Sequence, residues 1–384
     1  MDLLIRDIYG ADRGFNVAAD IVTQTADGVP LNDIYNEFAD ALAEWNQNRN
    51  LVTRLFTFDT TESFVQIAGE PGKGEDFEVE SEFGVPKSSR RDINWLRMGY
   101  PLEFFDAASR FTHKFLRDSS AEQIRLQFED KVEQDNRLLF RKTMEALTER
   151  PATTGDRFTN ENGVTIYGLW DGLSDSKPPT YAGKEFSSGH NHYMVSGAAT
   201  VDGGDLKALI DTIQEHGYGL PESNERIVIM VRKGTANAEA IRGFRRDPAD
   251  PATDPFDFIP AQGAPAYLTD ETIVGDVPPS RYQGIPIFGS YGDALLFESY
   301  HVPDGYLLAV ASAGPGNSRN PLAFRQHRNP GLHGLRLVNP NDATRFPLVN
   351  AYYQRGFGVG VRHRSAAAVM QIKASGSYEN PTWP

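Results

Sequence analysis

His190-Asn191-His192 sets two imidazoles one residue apart, and in an extended segment both rings face the same side, a spacing suited to gripping a transition metal. A closed metal site needs about four ligands, and no carboxylate or third histidine lies close by in sequence. The residues alone therefore read as polar loop residues, with no metal ligand assigned. Gly314-Pro315-Gly316-Asn317-Ser318 is glycine-rich like a phosphate loop, yet it lacks the Gly-Lys-Ser/Thr that would hold phosphate and magnesium, so it reads as a turn. In Gly356-Phe357-Gly358-Val359-Gly360 the glycines alternate within an apolar strand, where they permit close backbone approach, and no helix follows to offer its dipole to a phosphate. Ser196-Gly197 and Ser290-Tyr291-Gly292 are not set in a Gly-x-Ser-x-Gly elbow. Asp and Glu are scattered over the whole chain. No residue is assigned a catalytic or cofactor-binding role, and no cofactor is expected.

The bulk properties narrow the classes further. A chain of 384 residues with 40% hydrophobic residues can bury at least one large core. Its 35 glycines and 24 prolines point to many loops rather than to low complexity. A net charge of -14, with no long run of Lys or Arg, disfavours gripping nucleic acid by its phosphates. The lack of cysteine removes disulfides, cysteine-bound zinc and thiol nucleophiles, and fits assembly in a reducing cytoplasm. Met1 to Arg6 shows no basic region leading into an apolar stretch, and apolar runs such as Tyr306 to Ala311 are far too short to span a bilayer, so the expectation is a soluble, unexported chain.

The elements that must position any site follow from periodicity. Residues 1 to 30 carry no sustained period and read as an extended arm that needs a partner to order it. From Leu31 to Asn48, Ile34, Phe38, Leu42 and Trp45 fall on one helical face, with Asn32 as a cap candidate; that stripe could fill a core or dock on a neighbour. Residues 51 to 100 predict a long hairpin, with strands at Leu55 to Phe58 and Phe64 to Ile67 against Phe77 to Phe83, and Gly69-Glu70-Pro71-Gly72-Lys73-Gly74-Glu75 as its tip. A helical region is predicted after Pro101. Ser119 and Ser120 are cap candidates for a long helix from Ala121 to about Leu147, striped by Ile124, Phe128, Val132, Leu139 and Leu147.

Beyond a polar loop, the pattern predicts a helix from Leu206 to His216, a strand over Arg226 to Val231 and a helix from Ala236 to Phe244. Asp247 to Pro255 has too many prolines for regular structure and reads as an exposed acidic loop. Strands are predicted at Ile285 to Phe288 and Gly305 to Ala311, and a closing pair at Phe357 to Val361 and Ala366 to Ala374. There is no internal repeat and no heptad run.

This order of arm, amphipathic helix, long hairpin, long helix, α/β lobe and closing strands resembles the Hong Kong 97-type major capsid proteins of tailed bacteriophages. Three local matches carry the resemblance: Arg281-Tyr282-Gln283-Gly284-Ile285-Pro286-Ile287-Phe288 with Val302-Pro303-Asp304-Gly305-Tyr306, then Arg355 to Arg364, then the hairpin before the long helix. The resemblance implies an α+β fold with an N-arm over 1–50, an E-loop over 51–100, a P-domain over 101–200 and 340–384 with its spine helix at about 120–148, and an A-domain over 201–339. It also implies a structural subunit, no enzyme, that assembles with itself into pentamers and hexamers of an icosahedral head. Gly69, Pro71, Gly72, Lys73 and Gly74 would then touch a neighbouring subunit, and Asp247, Asp250, Asp254 and Asp257 would line the capsomer axis.

The partners implied are further copies of the chain, a portal protein, separate scaffolding and decoration proteins, and packaged DNA enclosed without sequence-specific binding, in a virion assembled in the host cytoplasm. No extra domain stands before the arm, so a scaffold is expected to be a separate chain, and Met1 argues against cleavage of the N-terminus. Some family members join an E-loop Lys to a P-domain Asn with help from a Glu. Here Lys73 and Asn350 could supply two parts, but Gln354 stands where the carboxylate would be, so no cross-link is expected. Alternatives are an encapsulin nanocompartment shell, whose chains are usually shorter and lack the Asp/Pro loop, and a cytoplasmic α/β enzyme or binding protein, for which neither a triad nor a ligand loop is found.

Overall fold

The computed structural model describes residues 22–47, 50–68, 82, 84, 95–108, 111–151, 158–172, 177–178, 181, 186–187, 189–263, 276–338 and 352–383. In chain order the elements are α1 (Leu31–Gln47), α2 (Leu51–Phe56), β1 (Thr57–Thr60), β2 (Phe64–Ala68), β3 (Trp95–Gly99), β4 (Glu103–Ala108), α3 (His113–Asp118) and α4 (Ala121–Thr148). There follow β5 (Tyr193–Val195), α5 (Gly203–Gln214), β6 (Arg226–Arg232), α6 (Ala236–Arg242), β7 (Phe258–Pro260), β8 (Arg281–Tyr282), β9 (Ile285–Pro286), β10 (Gly289–Tyr291) and β11 (Ala294–Ser299). The chain closes with β12 (Tyr306–Ser312), β13 (Leu322–Arg325), β14 (Leu335–Val338), β15 (Tyr352–Val361) and β16 (Ala367–Gln371). The mixture is α+β. Two compact units result, one of residues 1–49, 104–137 and 329–356, the other of 50–103, 138–328 and 357–384.

In the first unit, the stripe on α1 fills a core of its own chain. Ile34, Phe38 and Leu42 are buried together with Ile124 and Phe128 of α4 and with Leu335 and Tyr353, and the Phe38 and Phe128 rings stack at 4.2 Å. Each such side chain contributes about 1.5–3 kcal/mol by leaving water. Asn32, a predicted cap, falls inside the first turn of α1. At the start of α4 the predicted cap holds: the Gln123 N–H donates to Ser120 Oγ while the Ser120 N–H donates to Gln123 Oε1, so two amides with no partner inside the helix are met reciprocally. Asp27 also accepts from the Ala121 N–H at 3.1 Å, placing a negative charge at the helix start.

The polar centre of this unit is an ion pair. Arg355 Nε, on β15, lies 2.6 Å from Asp135 Oδ1, on α4, and both side chains are 3% exposed. Trp45 Nε1–H donates to Asp135 Oδ2 at 2.8 Å, and Arg355 Nη2–H donates to Asn46 Oδ1 at 3.1 Å. Asn46 in turn exchanges hydrogen bonds with the Leu335 backbone, which starts β14. β14 then pairs antiparallel with Tyr352–Arg355.

The second unit is built on a seven-stranded sheet in the order β5-β16-β12-β6-β11-β10-β7. β6 and β11 run parallel, as do β16 and β5, and the other neighbours are antiparallel. Every residue of β12 is buried, as is most of β6, which explains why these two read as unbroken apolar runs. α5 and α6 cover the sheet through Leu206, Leu209, Ile213, Ala238 and Ile241. Gly358–Val361 pairs antiparallel with β13, which pairs parallel with β1. The alternating glycines act as predicted: a Cβ on Gly358 would meet the Pro101 carbonyl oxygen at 2.0 Å, and one on Gly360 would meet Tyr100 at 2.9 Å.

Four expectations are corrected. Leu51–Phe56 is a helix capped by Asn50, and the strand after it, β1, joins β13 instead of the hairpin. The hairpin is instead based on β2 pairing β3, a two-stranded sheet, while most of the predicted partner Phe77 to Phe83 lies outside the described residues. After Pro101 comes strand β4 before the short helix α3; burial along β4 alternates at period two, Phe105 and Ala107 being half-buried and Phe104, Asp106 and Ala108 exposed. β15 and β16 are not partners: β15 joins β13 and β14, and β16 joins β12 and β5. The break at His363-Arg364-Ser365 carries the chain from one sheet to the other.

The buried pair gives a test. Asp135→Asn leaves the Arg355 guanidinium buried without a counterion and should lower stability by about 3–5 kcal/mol, whereas replacing both by Leu and Met should cost less than the single change. Urea unfolding followed by tryptophan fluorescence measures both, and a double variant weaker than the single one would contradict the electrostatic account.

Candidate functional site

Of the residues singled out in the sequence, Gly69, Pro71, Gly72, Lys73 and Gly74 lie outside the described residues, as does Asn350. Their hairpin is described at its base, where Phe64–Ala68 pairs in register with Trp95–Gly99. Ile34, Phe38 and Leu42 are core residues of the first unit, and Trp45 holds Asp135. Gln354, expected at the position of the assisting carboxylate, accepts a hydrogen bond from Arg336 through its amide oxygen.

The acidic loop is described in full. Asp247, Asp250 and Asp257 are exposed and Asp254 is half-buried. Three of these carboxylates cap the loop's own amides: Asp247 Oδ1 accepts from Ala249 N–H at 2.8 Å, Asp250 Oδ1 from Thr253 N–H at 3.4 Å, and Asp257 Oδ1 from Arg246 N–H at 2.9 Å. The prolines remove donors, so side-chain acceptors and turns replace a ladder. The loop is seated on the start of α5, where Gly204 N–H donates to the Thr253 carbonyl at 2.9 Å and a Cβ on Gly204 would meet the Ala252 oxygen at 2.4 Å.

That helix start is a capping box. Asp202 Oδ1 accepts from Asp205 N–H at 2.9 Å, and Asp205 Oδ2 accepts from Asp202 N–H at 3.1 Å. Burial pushes the Asp205 carboxyl up to about 6; the Asp202 N–H opposes the rise and the Asp202 charge adds to it.

The remaining motifs separate cleanly. Gly314 and Gly316 take φ of 103° and 71°, left-handed turn values, and Asn320 Nδ2 donates to the Gly314 carbonyl at 2.9 Å, so the glycine-rich segment is a turn pinned by its own chain. Ser196 Oγ–H donates to the Ala198 carbonyl at 2.9 Å. The histidines behave differently from the local reading. His216, just past α5, is brought to His190 and His192, and one ring nitrogen from each lies within 4.8 Å of the others. His190 Nε2 is 3.1 Å from His192 Nε2 and 2.8 Å from His216 Nε2, and Glu215 Oε1 is 3.3 Å from His190 Nε2 and 3.5 Å from His216 Nε2. Sequence reasoning missed this group because its third and fourth members lie across a long loop and a helix; Glu215-His216 at a helix end was the only local signal.

Asp205 supplies a pH test. A carboxyl whose pKa is higher folded than unfolded favours folding below the unfolded value near 3.8, and the advantage is lost as pH rises through about 6. Ionised Asp205 therefore costs up to about 3 kcal/mol at pH 8, at about 1.36 kcal/mol per unit. Asp205→Asn keeps the acceptor oxygen and should melt above wild type at pH 8, with the gap closing by pH 4. Equal melting shifts at both values would refute the assignment.

Comparison with known proteins bears on the chain as a whole. A solved structure of Mycobacterium phage Patience is 34% identical, the match covering 98% of this chain and 97% of that one at a TM-score of 0.69. The capsid of a native GTA particle is 15% identical over 85% of this chain and 91% of that one, with a TM-score of 0.42. The SrpI encapsulin from Synechococcus elongatus is also 15% identical, over 85% and 89%, with a TM-score of 0.37, and neither of these two carries weight beside the first. No protein-family model and no curated protein matches the chain.

Proposed function

Because this chain belongs to the Hong Kong 97-type major capsid proteins of tailed bacteriophages, we propose that its E-loop tip and its acidic loop are the parts that meet neighbouring subunits in the head. The protein is a structural shell subunit and not an enzyme. The observation that carries this is the 34% identity held along 98% of the chain to a phage structure of the same fold. The encapsulin reading is the weaker one.

Copies of the chain associate into a shell, as pentamers and hexamers of one subunit. Rings of five and six then close through heterologous contacts, in which one patch of each subunit meets a different, complementary patch of the next. The E-loop suits such a contact because, among the described residues, β2 and β3 pair with no other strand, and an isolated two-stranded sheet is marginal in water. Linked contacts of this kind make each later one effectively intramolecular. The acidic loop suits the capsomer axis because Asp247, Asp250 and Asp257 leave their charge on the surface, where several copies would gather like charge and draw cations. A portal protein, separate scaffolding and decoration proteins and enclosed DNA complete the expected partners, with assembly in the host cytoplasm before the virion matures.

Electron microscopy of the purified protein tests the reading: icosahedral shells with the 247–260 loop at the capsomer axes are expected, and a monodisperse monomer would sink it. Replacing Gly69 to Glu75 by a two-residue turn should leave circular dichroism unchanged and abolish shells in sedimentation, since the tip adds contacts between subunits and little to a core. Normal shells from that variant would count against the E-loop role. The Gln354 amide cannot accept the proton that Lys73 must lose before its amine attacks. Mature particles boiled in detergent should therefore run as a single band near 42.6 kDa, and a ladder of multimers would show that a cross-link forms.

A further inference from the structure

We propose that His190, His192, His216 and Glu215 form a structural site for an imidazole-preferring divalent transition metal, of which zinc is the natural occupant. Four donor atoms converge from two segments. Around zinc, with bonds of about 2.0–2.1 Å, tetrahedral donors stand about 3.3–3.4 Å apart. Four of the six separations among these atoms are 2.8, 3.1, 3.3 and 3.5 Å, and the three ring nitrogens all lie within 4.8 Å of one another, so an adjustment of the side chains would set the four around one ion.

The protonation pattern argues the same way. His192 Nδ1 lies 2.7 Å from the Ala367 carbonyl, which can only accept, so that nitrogen carries the proton and Nε2 is left with a bare lone pair. His190 Nε2 faces that lone pair and the His216 Nε2 at once. One hydrogen on it can serve a single good hydrogen bond, while a cation between the nitrogens satisfies all of them.

The surroundings suit a structural ion. Phe186 stacks on His216 at 3.8 Å between ring centres and forms an apolar wall. The ion would lie just past the C-terminal end of α5, the negative end of its dipole. Arg364, the other charge acting on His192, is held against Asp171 at 3.6 Å. Glu215 takes the fourth position, which a catalytic zinc would keep for water, so the site closes and acts as a clamp. It would tie the segment leading into β5, the edge strand of the seven-stranded sheet, to the end of α5.

The test uses the full-length chain, stripped with a chelator and titrated with zinc or cobalt(II). The expected result is about one ion per subunit by mass spectrometry, the visible spectrum of tetrahedral cobalt, and a higher melting temperature. At zinc a hundredfold above its Kd the folded to unfolded ratio should rise about a hundredfold. His190→Gln, which alters the most exposed ring of the three, should weaken binding at least about a hundredfold, and His301→Gln should not. Should His190→Gln fail to fold, the wild-type cobalt spectrum decides alone. Wild-type protein that takes up only a trace of zinc and shows no tetrahedral spectrum, or a folded His190→Gln chain that binds as wild type does, would overturn the proposal.

Discussion

Two opposite charges that cannot be left alone organise the first unit. Asp135 and Arg355 are almost fully shielded from water, and burial pushes the Asp135 carboxyl above its ordinary range while Arg355 and Trp45 pull it back. Stripping either charge of water costs several kcal/mol, and the pair recovers that only with good geometry and further hydrogen bonds. Those bonds come from Trp45 and Asn46 at the end of α1, so α1, α4 and β15 must meet at one point. The stacked Phe38 and Phe128 and the buried Tyr353 pack around the same junction. A helix that could have served a neighbour is thereby committed to its own subunit.

In the second unit the constraint is steric. β15 carries glycine at every second position from 356 to 360; the Pro101 carbonyl runs so close to Gly358, and the Tyr100 and Pro101 rings so close to Gly360, that side chains could not fit there without a shift. Apolar partners alternate with the glycines: Phe357 is buried and stacks on Phe324 of β13 at 5.2 Å. One face of the strand thus leaves room for Tyr100 and Pro101 and the other for the Phe324 ring. The chain then turns at Arg364, whose guanidinium donates to the Gly168 and Leu169 carbonyls, and enters the larger sheet as β16.

These features suit a subunit whose work is to be one of many. Among the described residues, the buried cores are built from the chain's own elements. Beside those cores stand a hairpin whose β2 and β3 pair with no other strand among the described residues, and an acidic loop that spends carboxylates on its own amides.

Periodicity and capping were legible in the residues. The stripe of α1, the length of α4 with its Ser120 cap, the buried runs of β6 and β12 and the irregular acidic loop all follow from spacings of two to seven residues, which local sterics and burial enforce. The ordered set of elements was enough to identify the family. Pairing was not legible, because a strand's own residues set its faces and not its neighbour: β1 left the hairpin for β13, and the last two strands parted into different sheets. The histidine group was hidden for the same reason. Its members are separated by a loop and a helix, and only the fold that closes β5 against α5 brings their nitrogens together. Contacts set by local period can be read from a chain, while those made by long-range burial exist only once the partner surface has been chosen.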